Sequence, residues 1–123
     1  MRTLVAAREV GDTRAALAID AFCYRLKKYI AAYYGVLNGA DAVIFTGGIG
    51  EHQALIRELS CAGLDALGIR IDPEKNQAAF GVEADIGAAG AATAVWVIPT
   101  NEELLIARDT ARCILDNKGR LHE

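Results

Sequence analysis

The chain has 123 residues, of which 53% are hydrophobic, with 13 basic and 16 acidic side chains for a net charge of −3 and an isoelectric point near 5.4. That length fits one domain able to bury about two thirds of its unfolded surface, and the apolar content favours a folded core over disorder. The charge argues against a nucleic-acid surface, since the one basic cluster, Arg25, Lys27 and Lys28, reads as a solvated helix face. Cys23, Cys61 and Cys113 are odd in number and widely spaced. They suggest neither a disulfide framework nor a zinc site, and are expected to be small core residues of a reducing cytoplasm. The text has no secretory signal and no long uncharged apolar run, so neither export nor membrane spanning is expected.

Taken in order, Gly11-Asp12-Thr13 opens the first helix, with Asp12 or Thr13 as its cap. Ile19, Phe22, Leu26, Tyr29, Ile30, Tyr33 and Leu37 recur at helical spacing and form a stripe that faces a core or a partner. Its tyrosines read as packing residues, with a stacking surface for a base as the alternative. Asn38-Gly39-Ala40-Asp41 ends the helix, and Ala42-Val43-Ile44-Phe45 follows as a strand expected to be buried on both faces, as in a parallel sheet. The strand empties into Thr46-Gly47-Gly48-Ile49-Gly50-Glu51. Without Cβ atoms these glycines allow backbone N–H groups to approach a ligand, and the next helix would add its unpaired amides.

That helix is expected from about Gln53 to Gly63, with Leu55, Leu59 and Ala62 inward and Arg57 and Glu58 toward water. Ile69-Arg70-Ile71 reads as a short extended piece, and Asp72-Pro73 as the cap and first-turn proline of a single helical turn through Asn76. From Gly81 to Ala92 the sequence is small and glycine-rich. Its acids Glu83 and Asp85 read as loop residues, with a metal pair as the alternative. Ala94-Val95-Trp96-Val97-Ile98 is the second strand. Thr100-Asn101-Glu102-Glu103 has the spacing of a capping box, Glu103 reaching back to Thr100 and Glu102 favoured by the helix dipole. Leu104, Ala107, Ala111, Ile114 and Leu115 are expected to pack the last helix, and Asp116 to Glu123 to be a frayed polar end.

The glycine turn fits neither common nucleotide fingerprint. Aligning Gly48-Ile49-Gly50-Glu51-His52-Gln53 with G-x-G-x-x-G puts Gln53 at the third glycine, and no Lys-Ser or Lys-Thr pair follows to complete a P-loop. Local text leaves two readings level: a ligand cradle, or a tight turn from strand to helix.

The wider text separates them. Phe45-Thr46-Gly47-Gly48-Ile49-Gly50-Glu51, Leu64-Asp65-Ala66-Leu67-Gly68-Ile69 and Ile98-Pro99-Thr100-Asn101-Glu102-Glu103-Leu104 occur in the order of acetate kinases and related short-chain acyl kinases. The resemblance extends from Met1-Arg2, through Ala18-Ile19-Asp20-Ala21-Phe22, to Ile106-Ala107-Arg108-Asp109-Thr110. It implies an incomplete α/β unit, in α-β-α-β-α order. The unit would be the C-terminal, nucleotide-binding part (residues 1–123) of an actin-like, sugar kinase and Hsp70, or ribonuclease H-like, domain.

By the same resemblance Gly48, Ile49, Gly50, Glu51 and His52 form the turn that holds ATP or ADP, with Met1 and Arg2 near the adenosine. Glu102 matches a glutamate associated with magnesium, a hard cation that takes few protein carboxylates. Two departures stand out. His52 replaces the family asparagine, and Met1-Arg2 match only the last two positions of an Asp-X-Arg triplet. The groups that bind acetate and acetyl phosphate have no counterpart in the chain. The implied function is therefore part of a cytoplasmic phosphotransferase between ATP and acetate, reaching acetate through a missing N-terminal half and inactive alone. A homodimer is implied as well. The alternatives are a propionate or butyrate kinase part, a non-catalytic nucleotide-binding or dimerisation module, and an unrelated Rossmann-like binder.

Overall fold

The computed structural model describes residues 1–120, apart from the side chains of Glu102 and of residues 116–120. It opens with a helix the sequence pattern does not announce, α1 (Arg2–Glu9), because Met1 and Val5 alone face inward and one such pair is too short to establish a period. Helix α2 (Thr13–Val36) is capped by Asp12, whose carboxylate accepts from the Arg14 and Ala15 amides at 2.8 and 3.1 Å. Met1 and Val5 of the first segment pack with Ile19, Phe22, Cys23 and Leu26 of α2, and Arg8 donates to Asp20 at 2.6 Å across the pair.

Only part of the expected α2 stripe is inward. Ile30, Ala31 and Tyr34 continue the buried row, whereas Tyr29, Tyr33 and Leu37 are 48%, 64% and 67% exposed. Tyr29 and Tyr33 each precede an inward residue by one position, and one step turns a helix by about 100°. They lean on each other instead, ring centroids 6.5 Å apart, with the Arg25 guanidinium 5.8 Å from the Tyr29 ring.

Strand β1 (Ala42–Phe45) pairs in parallel with a later strand, β3 (Ala94–Val97), and β2 (Ala84–Asp85) pairs antiparallel on the other side of β3, for an order β1-β3-β2. The register sets Val43 beside Val95 and Phe45 beside Val97 on one face. There they meet a core of Cys61, Leu64, Ile69, Ala79 and Ile86. The opposite face carries Ile44 beside Trp96, and Ile44 is 54% exposed. The expectation of a strand buried on both faces is therefore corrected: β1 is an edge strand, and no element among the described residues covers its second face. β2 lies in the glycine-rich segment read as loop, and the Asp85 carboxylate accepts from the Gly87 amide.

Between the strands, α3 (Gly47–His52) leads through Gln53 into α4 (Ala54–Cys61). A 3-10 turn follows at Asp65–Leu67. The Ile69 and Ile71 bridges bear out the extended piece, and α5 (Pro73–Ala78), capped by Asp72, runs slightly past the expected Asn76. The buried face of α4 is Ile56, Arg57, Ser60 and Cys61, so Arg57 is not on the wet face where the sequence pattern puts it. Glu58 is exposed, as expected.

The last helix, α6 (Glu102–Arg120), begins one residue later than a Thr100 cap requires. Asn101 is the cap, its side-chain oxygen accepting from the Leu104 amide at 3.1 Å. Residues 103–115 are all exposed, including Leu104, Ala107, Ala111, Ile114 and Leu115, because no element of the described residues lies over them. The helix runs through part of the expected frayed end; residues 121–123 lie outside the described residues. No described helix is long and apolar enough to cross a membrane.

Candidate functional site

The parallel pair β1 and β3 sets two carboxyl strand ends side by side, and each leads into a helix, α3 after Thr46 and α6 after Asn101. In open α/β sheets the crevice beyond such ends is where ligands bind. The chain enters α3 through Gly47 at φ 70°, the left-handed region that glycine occupies without penalty. Gly50 packs against β1 so closely that a Cβ there would lie 3.1 Å from the Phe45 carbonyl carbon. Gly48 is different: a Cβ there would have no atom within 4 Å, so this glycine borders open space.

Glu51 turns inward. Its Oε1 accepts from the Thr100 amide at 2.9 Å and from the Thr100 hydroxyl at 3.0 Å, with 7% of the residue exposed. The Thr100 amide is the main reason its carboxyl titrates below the ordinary 4.5; burial opposes this, while the Thr100 hydroxyl, the Gly47 amide and nearby His52 assist. Thr100, expected as a helix cap, thus latches the second strand end to the glycine turn. His52 reaches back over the turn, its Nδ1 3.1 Å from the Gly48 carbonyl, which can only accept, so Nδ1 carries the proton. The ring meets Phe80 edge to face at a centroid distance of 4.8 Å.

These residues frame a cleft of about 490 Å³ lined by Met1, Arg2, Gly48, Ile49, His52, Gln53 and Phe80. It brings together Met1, Arg2, Gly48, Ile49 and His52 from the expected set. Gly50 and Glu51 lie behind the turn, one packed on Phe45 and the other bonded to Thr100. Gln53 and Phe80 line the cleft without having been singled out in the sequence; Phe80, a lone aromatic in a run of small residues, was the available signal. The Glu102 side chain lies outside the described residues, although its backbone starts α6 two residues beyond the Thr100 latch. Among the described residues, no three His, Cys, Asp or Glu side chains gather as a metal site.

Behind the turn, Arg57 is wholly buried and uses its guanidinium fully. Nε donates to Asn76 Oδ1 at 2.7 Å, Nη1 to the Gly50 and Glu51 carbonyls at 2.7 and 3.1 Å, and Nη2 to the Asn76 and Ala79 carbonyls at 2.7 and 2.8 Å. Burial pulls its pKa down. Sequence pattern alone cannot reveal this role, because an arginine in an amphipathic helix normally faces water.

A mixed α/β unit with a glycine turn at the end of a parallel strand defines, in outline, an α/β protein with a ligand crevice beyond its strand ends, and comparison with known proteins makes the class specific. The model of the acetokinase family matches residues 1–108, and the chain belongs to that family. It is 54% identical over 108 residues to the acetate kinase of Dictyoglomus turgidum, an alignment covering 88% of this chain and 26% of that relative. The crystal structure of Porphyromonas gingivalis acetate kinase superposes with a TM-score of 0.82 at 38% identity, covering 92% of this chain and 28% of the other. A propionate kinase structure from Francisella tularensis gives a TM-score of 0.76 at 40% identity, covering 86% and 27%. The fold is accordingly that of the actin-like, sugar kinase and Hsp70 type as acetate kinases build it, and the chain spans about a quarter of the length of such relatives.

Proposed function

We propose that this chain is the C-terminal, nucleotide-binding part of an acetate kinase, taking ATP or ADP in the cleft between the glycine turn, the start of α1 and Phe80. The observation that carries the reading is the convergence of Met1, Arg2, Gly48, Ile49 and His52 on one cleft. These residues come from two segments widely separated in sequence, Met1-Arg2 and Gly48–His52, and local packing does not explain why Gly48 borders open space. Arg2 supplies a cation, Met1, Ile49 and Phe80 supply apolar surface, and the turn supplies backbone beside which a phosphate or ribose can lie. His52 holds the turn through Gly48 where the family asparagine would offer a paired donor and acceptor.

Phosphoryl transfer relies on positioning and on neutralising the charge of the transferred group. Glu102, at the start of α6 and near the Thr100 latch, is the residue of this chain that would help hold magnesium, most of whose ligands would be waters and phosphate oxygens. Magnesium when bound neutralises phosphate charge. The acceptor is a short carboxylate, acetate first, with propionate or butyrate as alternatives, and its binding groups would lie in the part of such kinases that this chain does not span. A second reading, a non-catalytic dimerisation module, draws on the exposed apolar residues of α2, Leu17 and Tyr24 on one side of its first half and Tyr33 and Val36 on another side of its second half, all more than half exposed. On either reading the chain pairs as a homodimer through α2.

Titration of the purified chain with ADP by calorimetry tests the nucleotide reading. Saturable binding is expected, and Gly48→Val should raise Kd at least about tenfold, or ~1.4 kcal/mol. A folded Gly48→Val chain that binds ADP as tightly as the unaltered one would refute the assignment. The chain alone should make no acetyl phosphate from ATP and acetate, since half a site does not assemble the transferring groups. Product above a no-protein control would overturn that statement.

A further inference from the structure

Arg57 is the strongest unexplained feature of the molecule. All five guanidinium N–H groups are used, and every acceptor is neutral. The ion pairs among the described residues are Arg8 with Asp20 and Arg112 with Asp109, so no carboxylate compensates the buried cation. A buried unpaired charge is expensive. Here the compensation comes from carbonyls without an intrahelical partner at the ends of two short helices, Gly50 and Glu51 of α3 and Asn76 and Ala79 at the end of α5, which present partial negative charge. Asn76 is anchored in turn by donating to the Ala54 carbonyl at 3.0 Å, and the Gly81 amide donates to the Glu51 carbonyl at 3.1 Å.

We propose that Arg57 is a positioning residue, whose guanidinium fixes the rear of the glycine turn against α5 and thereby sets the gap between Gly48–His52 and the Phe80 wall. The claim rests on the reading that this cleft takes a nucleotide. The front of the turn is open at Gly48; the Thr100 latch on Glu51 ties the turn to the second strand end, and Arg57 on two of its carbonyls, with Gly81 on one of those same two, ties it to the segment that carries Phe80. The end of α5 that Arg57 grips through Ala79 leads directly to Phe80, which meets His52. One side chain therefore ties both walls of the cleft. Lysine cannot substitute, because a point ammonium with three donors reaches at most three of the five acceptors and lacks the planar fork.

The test compares Arg57→Lys and Arg57→Met with Ile86→Ala, a fully buried core position away from the cleft. Each is measured by thermal melting, by ADP calorimetry and by the His52 ring resonances in NMR, which report the edge-on Phe80. Arg57→Lys should weaken ADP binding at least about tenfold and move the His52 resonances. Ile86→Ala should lower Tm as much or more, yet change ADP affinity less than about twofold and leave His52 in place. Should the methionine variant fail to fold, the lysine variant carries the comparison. Unchanged ADP affinity and unchanged His52 resonances in folded Arg57→Lys would overturn the proposal, as would an Ile86→Ala loss of affinity in proportion to its Tm. If the unaltered chain does not bind ADP, the nucleotide reading fails by itself, and the His52 resonances alone decide for or against positioning.

Discussion

Replacing Gly50 by alanine and, separately, Gly48 by alanine places the same methyl group two residues apart in α3, with opposite expected results. At Gly50 the new Cβ would lie 3.1 Å from the Phe45 carbonyl carbon and 3.4 Å from its Cα and Cβ. Carbon atoms prefer about 3.5–4.0 Å, so the closest approach is short by at least roughly 0.4 Å. Phe45 cannot retreat freely, since its carbonyl accepts from the Ile98 amide at 3.0 Å and its side chain packs in the sheet core. Overpacking of this kind costs about 1–3 kcal/mol, and the lower chain entropy of alanine offsets about 0.4–1 kcal/mol, leaving a net loss on the order of 1–2 kcal/mol. At Gly48 no atom stands within 4 Å and the backbone is not left-handed, so only the gain remains, about 0.4–1 kcal/mol. For a chain of this size 1 kcal/mol moves Tm by about 3–5 °C. Thermal melts should therefore show Gly50→Ala falling and Gly48→Ala rising slightly. The nucleotide reading adds that Gly48→Ala, the more stable protein, binds ADP more weakly. Shifts of Tm in the same direction and of similar size would refute the packing argument, and unchanged ADP affinity in Gly48→Ala would count against the cleft.

Further outcomes follow from individual contacts. Because Glu51 titrates below the ordinary 4.5 when folded, the unfolded chain binds more protons in that range, so its stabilisation is present above 4.5 and lost as pH falls through the folded pKa. Glu51→Gln should flatten the acid side of a urea-midpoint profile, and an unchanged acid limb would contradict the Thr100 latch. Asn101→Ala should cost α6 roughly 1 kcal/mol by removing the cap, while Glu103→Ala should cost only tenths, a contrast that circular dichroism melts can read. In a full-length acetate kinase carrying this sequence, the proposed metal role predicts that Glu102→Ala should chiefly lower turnover and shift the magnesium requirement; normal magnesium dependence would reject that role. Iodoacetamide mapped by mass spectrometry should label exposed Cys113 first and Cys61 last, since burial holds the Cys61 thiol up at about 12 and also raises Cys23. Early labelling of Cys61 in the folded chain would contradict its burial.

Much of the local architecture was legible because it depends on neighbours in the chain. Asp12 and Asp72 cap their helices through amides two and three residues on, Pro73 opens α5, and Ala42–Phe45 and Ala94–Val97 are strands. The glycine turn, too, was visible as a run of residues without Cβ atoms. The ordered blocks around it carried the family resemblance, which depends on residue identity and survives ignorance of the fold.

What the sequence could not determine were interactions set by chain segments far apart. Thr100 satisfies the spacing rule for a cap, but Glu51, 49 residues away, takes its amide and hydroxyl, and the cap passes to Asn101. Arg57 has the pattern of a wet residue, yet the ends of α3 and α5 close around it and make burial tolerable through five neutral acceptors. The apolar residues of α6 and Ile44 of β1 have core patterns but are exposed, since hydrophobic periodicity specifies that a face seeks cover and not which element supplies it. Caps and period fixed α2, α5, β1 and β3 from their own residues, though not α1 or β2; tertiary structure alone decided which residues turned inward, because burial and pairing depend on partners brought close only by the fold.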